Sequence, residues 1–145
     1  MPKFYQGLGY AGLIPFIGFT VGLFALSNPS FIAACATMQV VYAGLIASFL
    51  AGMHWSHGLP RQHKVQLSLA MVPSIASLLL IFFCLLTYNY FIPLIVMGFM
   101  FIGLYAADKK LLEPAWLDLD YFKLRLRLTA IVSVCLFLSA LSFWI

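Results

Sequence analysis

Charge is what this sequence has least of. Only 8% of its 145 residues are Asp, Glu, Lys or Arg, against about 25% in soluble domains. None occurs from Phe4 to Pro60, from Val65 to Ala107, or from Leu128 to Ile145. With 64% hydrophobic residues and a mean hydropathy of +1.05, that depletion excludes a soluble domain and places the chain in a bilayer. Cysteine is scarce too. Cys35, Cys84 and Cys135 are scattered without a CxxC spacing, so a zinc site or a disulfide framework is not expected. A bridge between Cys35 and Cys84 stays open, with buried free thiols preferred. Histidine is confined to His54, His57 and His63. Haem held by two axial histidines on facing helices is therefore disfavoured. No GxSxG, HExxH, phosphate loop or nucleotide fingerprint is present.

What remains is long apolar chain. A spanning helix needs about 20 apolar residues, so the three uncharged stretches hold two, two and one span. The expected architecture is all-α: a single transmembrane domain, a bundle of five helices over about 8–27, 31–53, 67–87, 91–107 and 123–145. Residues 8–27 are read as a retained first helix, although Ala25-Leu26-Ser27 has the small-residue character of a cleavage site. Asn28-Pro29-Ser30 and Tyr88-Asn89-Tyr90 read as tight turns. Pro15 and Pro73 each sit inside a span and are expected to kink it; the segments around them, residues 13–17 and 71–75, suggest a weak internal repeat. Residues 108–122, where charges intersperse with Leu111, Leu112, Trp116 and Tyr121, read as an interfacial segment. Asp118 or Asp120 can cap the fifth helix.

If the helices alternate, Lys3, Arg61, Lys64, Lys109, Lys110, Lys123, Arg125 and Arg127 fall on one side, together with all four acids. The net charge of +4 is then a topology signal rather than a nucleic-acid signal. Basic residues stay on the cytoplasmic side, which puts the N-terminus in the cytoplasm and the C-terminus outside.

The second span carries the densest pattern. Advancing about 100° per residue, Gln39, Ala43, Ala47, Ala51 and His54 fall on one stripe, with Gly44, Ser48, Gly52 and Trp55 beside it. Small residues at this spacing let helix backbones approach closely in lipid. Gly18 and Gly22 form a GxxxG in the first span, with the same meaning. These faces suggest a non-enzymatic protein that packs with copies of itself or joins a larger membrane complex.

Polar groups converge in depth near the inner boundary: His54 and Trp55, Tyr105 and Asp108, Arg125 and Arg127. One reading pairs Asp108 with Arg125 or Lys109 and lets His54 cap the bundle through a hydrogen bond. Another opens a pocket to the cytoplasmic leaflet, where Asp108 orients His54 and an arginine receives an anion. Gln39 and Tyr42, mid-span, either line a water path or bond between helices. A small transporter or proton-linked pathway using His54 and Asp108, and a redox or lipid enzyme that binds quinone or a lipid headgroup, are the alternative functions. No metal and no resident cofactor are expected.

Four motifs carry a resemblance: LGYAGLIPF (8–16), YAGLIASFLAGMHW (42–55), Asp108, and Pro114-x-Trp116 followed by LRLRLT (124–129). Together they resemble an uncharacterised bacterial membrane family related to mitochondrial transmembrane protein 69. The spacing between Trp116 and Arg125 is longer than that pattern leads one to expect. The resemblance implies a small multi-pass protein of a bacterial inner membrane or its mitochondrial counterpart and brings no activity or cofactor.

Overall fold

In the computed structural model, which describes residues 4–112 and 119–144, every regular element is a helix. In chain order they are α1 (Phe4–Ala11), α2 (Leu13–Ala25), α3 (Pro29–Gly58), α4 (Lys64–Thr87), α5 (Phe91–Leu111) and α6 (Leu119–Trp144). Among the described residues five spans are long and apolar enough to cross a membrane, with α1 and α2 together forming the first. The outward surface fits that solvent: Ile14, Val21, Phe49, Leu78, Phe82, Phe99 and Val134 are all more than half exposed. In water such a surface would be a large unpaired hydrophobic patch. Lys3, Pro114, Trp116, Asp118 and Ile145 lie outside the described residues.

The helix ends follow from local chemistry. Asn28 Oδ1 accepts from the Ser30 N–H and Pro29 occupies the first turn of α3, a residue order suited to an N-terminus. His63 caps α4, its Nδ1 accepting from the Gln66 N–H at 3.1 Å. Tyr88 ends α4 in the left-handed region (φ 55°), its N–H bonded to the Cys84 carbonyl. α3 runs past Met53 through His57, and α5 runs through Asp108 to Leu111, so the ends of both apolar runs are helical rather than loop. Lys109 and Lys110 in the last turn of α5 suit the negative end of its dipole. α6 begins at Leu119, with Asp120 in its first turn.

The two prolines behave differently. Pro15 lacks the N–H that would bond the Ala11 carbonyl, and the first span breaks at Gly12, between α1 and α2. The Gly12 carbonyl at that break accepts from the Tyr42 hydroxyl at 2.8 Å. α4, by contrast, continues unbroken through Pro73.

α3 is the central rod, packing on α2, α4 and α5, while α6 packs on α1, α2 and α5. Gln39, Ala43, Ala47, Ala51 and His54 are all fully buried, in or beside a core that includes Phe16, Leu94, Met97 and Phe101. The neighbouring stripe is spent on α4. A Cβ on Gly44 would come within 2.9 Å of Ser77 Cβ, and Ser74 donates to the Ser48 hydroxyl at 3.0 Å. In the first span a Cβ on Gly22 would meet Cys35 Sγ at 3.3 Å, whereas Gly18 and Gly52 face open space. Small-residue packing is thus largely an internal matter of this chain. At the end away from the charges, Tyr90 meets Phe143 and Phe91 meets Trp144, with centroids 5.3 and 5.5 Å apart. The turn around Asn89 and the end of α6 therefore share one face of the bundle. The three cysteines are free thiols.

Candidate functional site

At the charged end, four helices each contribute one side chain to a single buried hub. α3 supplies His54, α4 Gln66, α5 Asp108 and α6 Arg125, none more than 3% exposed. Arg125 Nε and Nη2 both donate to Asp108 Oδ2, at 2.9 and 2.7 Å, and Nη1 donates to Thr129 Oγ1 at 3.1 Å. His54 Nε2 lies 2.8 Å from Asp108 Oδ1. Its Nδ1 lies 3.2 Å from Gln66 Nε2.

Partner chemistry fixes the protons. Gln66 Nε2 also donates to the Leu111 carbonyl at 3.4 Å, so this nitrogen, not the amide oxygen, faces His54. His54 Nδ1 must then accept, and His54 Nε2–H donates to the carboxylate. Gln66 Oε1 accepts from His57 Nδ1 at 2.9 Å, and the His57 carbonyl accepts from Arg61 at 2.7 Å. A continuous hydrogen-bonded chain runs from His57 through Gln66 and His54 to Asp108. One carboxylate, one guanidinium and a neutral imidazole sum to zero charge. That balance is what makes burial tolerable, since an unpaired charge in so dry a place would be expelled or neutralised.

The sequence placed these groups near a solvated boundary, and the structure encloses them. It also separates residues that the sequence grouped. Arg127, two positions from Arg125 and therefore about 200° around the helix, is exposed; so is Trp55, while Tyr105 is half-buried. Lys109 is exposed, and Arg125 takes Asp108. Gln39 and Tyr42 each bond between helices: Gln39 Nε2 donates to Thr20 Oγ1 at 3.1 Å, and Tyr42 closes the Gly12 break. Gln39 Oε1 has no hydrogen-bond partner among the described residues. Gln66 and Thr129 were not anticipated. A signal existed for Thr129, four residues beyond Arg125 and so on the same face. For Gln66 there was only its polarity in the first turn of α4. Among the described residues no group of three His, Cys, Asp or Glu side chains is placed to hold a metal.

Beside the hub lies a cavity of about 400 Å³ between the first span, α3, α5 and α6. Its wall is hydrocarbon and aromatic, including Leu13, Phe16, Leu50, Phe101, Leu128 and Val132, with Arg125, Thr129 and Tyr121 as its polar side chains. Two of its lining residues, Leu8 and Phe49, are 60% and 76% exposed, so it is reached from the lipid side. Tyr121 donates to Met53 Sδ at 2.9 Å. Arg125 uses three of its five N–H groups in the described bonds. Thr129 accepts from Arg125, and its own proton goes to no described acceptor. The arrangement can hold an apolar molecule and offer hydrogen-bond donors to it.

No curated protein and no solved structure matches this chain. A family model does, over residues 1–141, described as Protein of unknown function (DUF3429). The chain, a multi-pass helical membrane protein in its composition and its structure, belongs to that family.

Proposed function

We propose that this chain is a small, non-enzymatic integral protein of a bacterial inner membrane that takes one lipid-phase molecule laterally into the cavity beside the hub. The observation that carries this reading is Arg125. It is a guanidinium 3% exposed, neutralised by Asp108, and it lines a mostly apolar cavity with donors to spare. The positive-inside bias puts Arg61, Lys64 and the hub at the cytoplasmic leaflet, the N-terminus in the cytoplasm and the C-terminus outside. The kinship with mitochondrial transmembrane protein 69 belongs to the same reading. Protein solubilised in mild detergent, washed and extracted with organic solvent is expected to release about one tightly held lipid-phase molecule per chain. The cavity-filling variant Ile46→Trp is expected to release none above bulk lipid. Equal release from both proteins would contradict the proposal.

Association with a second copy or a larger membrane complex is the second reading. Gly18, Gly52 and Gly103, at which an added Cβ would meet nothing within 4 Å, are where another helix could approach. A proton-linked pathway using His54 and Asp108 is a further reading, supported by the hydrogen bond between them; Gln39 and Tyr42 stand apart from that pair.

A further inference from the structure

We infer that the cavity's occupant is a neutral, carbonyl-headed membrane molecule of the isoprenoid quinone class, an assignment that rests on the lateral-binding reading above. Three features converge on it. The first is donor chemistry: Arg125 N–H and the Thr129 hydroxyl proton are what the hub leaves uncommitted, and a carbonyl oxygen accepts from both. The second is charge. The Arg125 guanidinium is already balanced by Asp108 at 2.7 Å. An anionic headgroup would add a second negative charge beside that carboxylate in a water-poor space, where repulsion is poorly screened. A neutral acceptor takes the same hydrogen bonds without it.

The third is shape. The cavity is walled by Phe16 and Phe101, both 1% exposed, whose rings meet edge to face with centroids 6.0 Å apart. Aromatic walls suit a planar ring better than the branched glycerol of a diacyl lipid. The exposed Leu8 and Phe49 then mark where a hydrocarbon tail leaves for the bilayer.

The test uses the full chain in nanodiscs of phosphatidylcholine, with three probes added separately: decyl-benzoquinone, dioleoylglycerol and phosphatidylglycerol. Bound probe per chain is read by native mass spectrometry. The quinone is expected to bind in preference to the other two, with Ile46→Trp abolishing it. Thr129→Val is expected to weaken it roughly tenfold, one hydrogen bond's worth, and Thr129→Ser to restore it. Dioleoylglycerol or phosphatidylglycerol binding in the quinone's place, still lost in Ile46→Trp, would overturn the quinone assignment and keep the cavity reading. Quinone binding that ignores Thr129→Val would overturn the head-group contact. Probe binding unaffected by Ile46→Trp would overturn both readings.

Discussion

Asp108→Asn is expected to cost about 3–5 kcal/mol of stability, the usual range when one partner of a buried ion pair is removed. The substitution keeps the shape and deletes the charge, which isolates the electrostatic part. Arg125 would be left as an uncompensated guanidinium in a site 3% exposed. An amide also offers one oxygen where the carboxylate uses two. If that oxygen takes Arg125, its NH2 faces the His54 Nε2–H; if it takes His54, its NH2 faces Arg125. Each orientation sets donor against donor. Unfolding in mixed micelles of increasing SDS fraction, followed by circular dichroism, measures the loss. A change below about 0.5 kcal/mol, typical of an inconsequential surface substitution, would mean that the pair is solvated.

The second large effect is a recovery. Arg125→Gln alone should also cost about 3–5 kcal/mol, because it strands the Asp108 carboxylate. Combined with Asp108→Asn, it should restore most of what either change loses. In the double variant an asparagine oxygen can accept from His54 Nε2–H, its amide can donate to the glutamine oxygen, and the glutamine NH2 can reach Thr129. The charges leave together and every group keeps a partner. The double-mutant cycle should therefore show a coupling energy of several kcal/mol, where independent sites would add within about 0.5 kcal/mol. The same double variant removes the guanidinium from the cavity, so stability should return while ligand binding does not. Strict additivity in the cycle would dissolve the hub.

Much of this layout is legible in the sequence, because a bilayer leaves little choice about where charges go. Three uncharged stretches give five spans, and the stripe from Gln39 to His54 identifies the face of α3 that the structure buries. His54, Asp108 and Arg125 stand out as ionisable groups near hydrocarbon. Depth is one coordinate, however, and a site needs three. Arg125 and Arg127 have the same depth to within a fraction of a turn, yet one is buried and the other exposed. The choice depends on which face of α6 meets α5, and only the small and polar stripe from Thr129 through Ser133 to Ala140 hinted at it. Gln66 was illegible for a different reason. Its role comes from a bonding need of His54 Nδ1, which exists only once α3 and α4 are side by side.

The glycines teach a related lesson. GxxxG and the alanine and serine stripes suggest packing; where a close approach is found it is to another helix of the same chain, while Gly18 and Gly52 face open space. Gly44 faces Ser77 and Gly22 faces Cys35. A motif records that a close approach happens and says nothing about whose backbone approaches. The cavity had no sequence signature at all. It is enclosed by residues of the first span, α3, α5 and α6 that are far apart in the sequence, a product of three-dimensional fit rather than of any local pattern.

The central claim is that a charge-neutral hub holds Arg125 against a lipid-accessible cavity so that it can grip the head of a membrane molecule. Electron-microscopic density of the protein extracted directly into native-lipid discs addresses it most simply. The account predicts elongated density between the first span, α3 and α6, its inner end within hydrogen-bond distance of Arg125 and Thr129 while Arg125 still holds Asp108. Helices closed on one another with no occupant, or Arg125 turned away from Asp108 into water, would contradict it.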